Sequence, residues 1–173
     1  MTIDSKLAQR EIKIISEHPT VEELLVVHKD VIGNDYEAYK GHIYRVLTYS
    51  IHILGTKGPI DIIAAALVYH DIGLWTDKML NYIEPSIERA KKDLPGRYNK
   101  NDMKLIIDII YWHHKITPVD EKDPKAKKII NAVRRADWID ATMVTFLFMI
   151  FPSPLYTYPT STLPLSQQTI PTN

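Results

Sequence analysis

A histidine and an aspartate side by side, His70 and Asp71, close the mostly apolar run DIIAAALVYHD at positions 61–71. His70 is in step with Ile63, Ala66 and Leu67, and Asp71 with Ala64, Leu67 and Val68, so both fall on helical positions that belong to a core. Two other stretches repeat the anomaly. His42 lies in the stripe Tyr39, Ile43, Val46, Ser50 and Ile53, and Asp137 follows Val133 by four residues and Ile130 by seven. A buried carboxylate without a partner costs on the order of several kcal/mol, so it neutralises or acquires a partner. One divalent cation would satisfy all four groups at once. Imidazole nitrogen with carboxylate oxygen suits Mn, Fe, Co, Ni or Zn, and Mg where carboxylates and water dominate. The chain has no cysteine, which excludes thiolate ligands, a thiol nucleophile and disulfides together. Each residue alone has an ordinary explanation: a hydrogen-bonded core histidine, a helix-terminal aspartate, an ion pair of Asp137 with Arg134 or Arg45. The order His, His-Asp, Asp on three helices favours the metal.

The elements that carry these residues read as helices, and the fold class as all-α. Apolar residues recur three and four apart, and no segment alternates with period two for long enough to make a sheet. The pattern predicts a helix over 4–17 ended by His18-Pro19, then one over 20–31 with Thr20 as N-cap and Glu23 completing a capping box. Gly33-Asn34 stops it, and Asp35 caps a long helix to Leu54. The core helix 61–71 follows, then Pro85 to Leu94, a helix from Asn101 or Asp102 through His113, and a last long helix from Pro124 capped by Asp123. His18, His28 and His52 read as hydrogen-bonded core residues, and Arg134 and Arg135 as surface ion-pair partners.

Composition narrows the class further. Lys+Arg and Asp+Glu are 21 each in 173 residues, so no basic field marks the chain for a nucleic-acid polymer or an anionic membrane. The apolar segments are too short for a membrane span, and the first twenty residues lack the pattern of a secretory signal, so a cytoplasmic protein is expected. Residues 1–151 read as one helical domain and 152–173 as an irregular Pro/Thr-rich tail.

The contexts GHIYRV, LVYHDIG and RRADWIDAT, carrying His42, His70-Asp71 and Asp137 in that order, resemble the HD superfamily of metal-dependent phosphohydrolases over about residues 20–142. The resemblance implies a helical bundle in which His42, His70, Asp71 and Asp137 hold one divalent metal and Asp71 takes part in catalysis. It implies a phosphoester substrate, a nucleotide or related small metabolite. Iron oxygenases and catalytically inactive regulatory modules share the pattern and are the alternatives. Between the His-Asp pair and the last Asp, His113 falls in the buried stripe of Ile106, Ile109 and Ile110, with His114 beside it. These two read as catalytic contacts to phosphate or to a water, with a second metal or a structural role as the other readings. Arg45, one turn from His42, and Lys115 read as substrate-binding cations. Leu74 stands three residues after Asp71, where some nucleotidases of that superfamily carry a Glu or Lys. Asp77 and Glu84 are the remaining acid candidates.

Charge stops at Asp140; residues 141–173 contain no Asp, Glu, Lys, Arg or His. MVTFLFMIF at 143–151 therefore has no polar face, and such a segment is expected to extend the last helix and pack on the bundle or across a homodimer. Deleting 153–173 should leave the melting temperature and metal content nearly unchanged, whereas deleting 143–173 should make the protein insoluble or much less stable. Equal damage from the two deletions, read by thermal denaturation, would show that the tail belongs to the fold.

Overall fold

The computed structural model describes residues 11–55, 58–78 and 81–150, with side chains as far as Met143. Every regular element among them is helical: α1 Pro19–Val26, α2 Lys29–Ile32, a 3-10 turn Gly33–Asp35, α3 Tyr36–Leu54, α4 Ile60–Tyr69, α5 Gly73–Thr76, α6 Ile83–Asp93, α7 Lys100–Trp112 and α8 Pro124–Ile150. The all-α reading holds. No helix among the described residues is long and apolar enough to cross a membrane.

Helix α4 is the centre of the bundle and packs on α1, α3, α6 and α7. Its residues Ile63 to Tyr69 are completely buried, as a helix apolar on every side must be. The most extensive packing is between α3 and α8, and α7 lies against both α4 and α8. The ends of α4 and α7 thus meet the middle of the α3–α8 pair. α3 closes at Gly55, whose left-handed backbone (φ 68°) lets its N–H reach the carbonyls of Ile51 and His52. Asp123 opens α8 as expected, its Oδ1 accepting the Lys125 N–H at 2.9 Å.

Several local expectations are corrected. Residues 11–17 are not helical, and residues 4–10 of the expected first helix lie outside the described residues. The Ile-rich segment lies along α3, where the Ile15 N–H donates to Thr48 Oγ1 at 3.0 Å and the His18 N–H to the Tyr44 hydroxyl at 3.0 Å. β-Branched residues favour such an extended path, and side chains of α3 satisfy these two amides. Pro19 starts α1 one residue before Thr20. Thr20 therefore sits inside the first turn and bonds Asp61 instead of capping, while Glu23 pairs with Arg97. The helix expected to reach Val31 breaks at Val27-His28, and the chain bends through α2 and the 3-10 turn. Asp35 caps nothing; its Oδ2 accepts the Trp75 indole N–H at 3.0 Å. Asn99, not Asn101 or Asp102, caps α7, accepting both of their amides. Arg134 is buried and donates to the carbonyls of Lys115 and Ile116, so it ties the loop after α7 to α8 where a surface ion pair was expected. His28 is a core residue without a hydrogen bond: its ring meets the Tyr69 ring edge-on, and Nε2 stays 3.5 Å from Asp93.

Gly73 shows why the segment after His70-Asp71 must be so slender. Its N–H donates to Ser86 Oγ at 2.9 Å, and a Cβ there would collide with the Tyr82 carbonyl and lie 3.1 Å from Pro85 Cβ. Gly73→Ala must push the start of α6 away, at an overpacking cost of about 1–3 kcal/mol, or roughly 3–10 °C in melting temperature. Unchanged thermal denaturation of that variant would show that α6 can yield freely.

Candidate metal centre

Four elements deliver six metal-type side chains to one place. His42 comes from the second turn of α3, His70 and Asp71 from the end of α4, His113 and His114 from the end of α7, and Asp137 from the middle of α8. His42 Nε2 and His70 Nε2 are 3.0 Å apart, and Asp137 Oδ1 lies 3.3 Å from the first and 3.8 Å from the second. Asp71 Oδ2 lies 3.2 Å from His70 Nε2 and 3.9 Å from His42 Nε2. A tetrahedral ion with bonds near 2.1 Å needs donor separations of about 3.4 Å, and an octahedral one about 3.0 Å between neighbours. His42, His70 and Asp137 therefore come together close to metal-ligand spacing, with Asp71 adjoining them beside His70.

Two trios stand out in this cluster: His42, His70 and Asp137, and then Asp71, His113 and His114. Asp71 joins them, its Oδ2 facing His70 and its Oδ1 3.3 Å from His113 Nε2. Neither Asp71 Oδ1 nor His113 Nε2 has a hydrogen-bond partner, although both are buried. Two orphaned acceptor-type atoms facing each other are what a cation would satisfy. Asp137 spans the trios as well, with Oδ2 3.8 Å from His114 Nε2.

The tautomers support the same chemistry. His70 Nδ1 donates to the Leu67 carbonyl at 2.6 Å and His113 Nδ1 to the Ile110 carbonyl at 2.5 Å, each at the end of its own helix. His42 Nδ1 lies 2.8 Å from Asp140 Oδ2. With a proton held at Nδ1 in every case, the Nε2 atoms of all three rings point into the cluster, that of His42 offering a lone pair once its own proton is displaced. Tyr39 closes the back: its hydroxyl donates to the Val68 carbonyl at 2.9 Å and its ring stacks on His70.

Electrostatics follow from this crowding. Burial pushes the His70 imidazole down to about 4, which keeps it neutral. Burial would lower His42 too, but hydrogen bonds to Asp137 and Asp140 and the charge of Asp71 hold it up at about 9. Burial would raise the Asp71 carboxyl, yet the imidazoles of His70, His113 and His42 gathered around it keep it well below the ordinary range. Asp137 is lowered against its own burial by His42 and His70. Without a metal, a proton on His42 thus does part of a cation's work.

Not every residue expected here arrives. Arg45 is bound to Asp140, and the Lys115 ammonium lies over the Tyr111 ring at 4.7 Å. Asp77 accepts from Thr76, and Glu84 is exposed on α6. Three participants were missed. Asp140 was legible as the second carboxylate of Asp137-x-x-Asp140 on one helical face; Tyr39 was counted only as an apolar stripe residue. Tyr82, whose hydroxyl is 2.9 Å from His114 Nε2, stands before α6 with no pattern to mark it. The fold and site define a helical bundle with a buried His/Asp cluster capable of holding metal. Comparison with known protein families, curated proteins and solved structures finds no match to this chain.

Because the folded His42 titrates near 9 instead of its ordinary 6.5, its proton stabilises the metal-free fold fully below about pH 6.5, and this contribution is lost as pH rises through about 9. A metal must displace that proton. Calorimetric titration in buffers of different ionisation enthalpy at pH 7.5 should therefore show close to one proton released per first ion, with affinity rising up to about pH 9. Binding without proton release would place the ion elsewhere.

Proposed function

We propose that this protein is a divalent-metal-dependent phosphohydrolase of the HD type, acting on a phosphoester of a small molecule such as a nucleotide. The observation that carries the reading is the convergence of His42, His70, Asp71 and Asp137, the residues of the HD-like pattern, with every imidazole Nε2 turned inward. A divalent ion held there supplies Lewis acidity towards a phosphoryl oxygen and towards water. The chain's own groups do the rest. His114 is half exposed while His70 and His113 are buried, so a phosphate reaches the cluster past His114. Burial pushes His114 below its ordinary pKa, leaving a neutral ring that Tyr82 orients and that can donate N–H to a phosphoryl oxygen. Asp71 stays ionised and can accept a hydrogen bond from an attacking water.

The second trio, Asp71 with His113 and His114, favours one other reading, an iron-dependent oxygenase with more histidine ligands than a mononuclear hydrolase requires. Stripped protein reloaded with Mn, Co, Zn, Fe or Mg in turn and offered nucleotides, phosphomonoesters and cyclic dinucleotides separates them. The expected result is anaerobic phosphate release, reduced at least about 100-fold in Asp71→Ala together with bound metal. Iron-dependent oxygen uptake with no phosphate released would establish the oxygenase, and metal binding without turnover on any substrate the regulatory module.

A further inference from the structure

We infer that Asp140, clamped by Arg45, is the positioning residue that sets the tautomer of His42 and holds α3 against α8 at the metal centre. The inference rests on the metal-centre reading above. His70 and His113 sit at helix ends, where carbonyls are left over for their Nδ1 protons. His42 cannot use that device. It lies inside α3, which runs on for twelve residues to Leu54, so the carbonyl one turn back is already engaged by a backbone amide. Its acceptor has to come from another helix, and Asp140 of α8 supplies it at 2.8 Å. With both of its oxygens accepting from the Arg45 guanidinium, this carboxylate can only accept, so Nδ1 carries the proton and Nε2 is left for the cluster.

The clamp on Asp140 is bidentate: Arg45 Nε donates to Oδ1 at 2.6 Å and Nη2 to Oδ2 at 3.0 Å. The pairs match turn for turn. His42 faces Asp137 at 3.3 Å, and three residues on, along both helices, Arg45 faces Asp140. Gly41 makes room for this, since a Cβ there would lie 3.1 Å from Arg45 Nη1. The guanidinium thus folds back along α3 and reaches across to α8. The motif Gly41-His42-x-x-Arg45 with Asp137-x-x-Asp140 is one device, and Arg45 acts on the ion through Asp140 and His42 before any action on a phosphate.

Metal-stripped wild type, Asp140→Ala, Asp140→Asn, Arg45→Ala and the double variant Asp140→Ala/Arg45→Ala test this by Co²⁺ affinity against a chromophoric chelator. The visible spectrum of the Co²⁺ form and the melting temperature of the metal-free protein complete the readout. Asp140→Ala should bind Co²⁺ about 10–100-fold more weakly with a changed spectrum. Asp140→Asn keeps the shape and one acceptor oxygen and should recover part of the loss, which also covers a failure of the alanine variant to fold. Arg45→Ala should weaken binding less, and the double variant should bind no more weakly than Asp140→Ala. An Asp140→Ala or Asp140→Asn protein with wild-type affinity and spectrum and only a lower melting temperature would make Asp140 a structural tie and overturn the inference. Arg45→Ala with unchanged metal binding and a raised KM for a phosphoester would overturn it by making Arg45 a substrate contact. Wild type that binds no metal would sink the metal centre itself, a failure distinguishable from the first two.

Discussion

Two carboxylates, Asp71 and Asp137, and three imidazoles joined by contacts of 3.0 to 3.9 Å form the constraint on which the rest of this structure depends. Taking such groups out of water costs several kcal/mol each unless something of opposite charge returns the loss. The bundle is arranged so that the repayment must come from one small space. α4 brings an apolar cylinder to the centre, polar only at Asp61 in its first turn and at His70-Asp71 beyond its last. The Gly73 contact with Tyr82 and the Arg134 contacts with Lys115 and Ile116 then fix the loops after α4 and α7. Loose loops would let the carboxylates drift apart and hydrate separately.

Helix ends do more than terminate the helices. At the ends of α4 and α7 the backbone carries unpaired carbonyls and a partial negative charge, which favours cations. His70 and His113 each return their Nδ1 proton to the carbonyl three residues earlier, satisfying one of these acceptors while aiming Nε2 forward. The same bond thus caps a helix and selects a tautomer. His42 and Asp137 come from helix interiors, and the polar partners they need have to be borrowed across the α3–α8 interface.

Legibility in the sequence followed the period of the helix. His42, His70, Asp71, His113 and Asp137 could be found because a polar residue on an apolar stripe conflicts with burial unless it has a task. Asp140 escaped because its two partners, Arg45 and His42, lie more than 90 positions away, and only the fold brings them to one carboxylate. Thr20 and Asp35 looked like caps because their types fit, but Pro19 moved one helix start and Trp75 claimed the other side chain. The non-helical path of residues 11–17 depends on Thr48 and Tyr44, more than 25 positions away, and no local pattern encodes it. Arg134 was assigned to the surface because arginine usually is; the carbonyls it satisfies belong to a loop whose course only the folded chain reveals.

Charge balance finally links the cluster to its proposed substrate. Asp71, Asp137 and Asp140 are all held below their ordinary pKa, so three negative charges face Arg45 and the raised His42. That leaves the protonated cluster about one charge negative. Replacing the His42 proton by one divalent ion brings it to neutrality, the state that burial favours. A second divalent ion on Asp71, His113 and His114 would leave an excess of two positive charges in a space that tolerates little. Asp71 would then divide its one charge between two ions, so the second should bind more weakly than the first. On the proposed function, a phosphate dianion entering past His114 would bring the two negative charges that such a state lacks, so a twice-loaded cluster would be electrostatically complementary to a phosphomonoester.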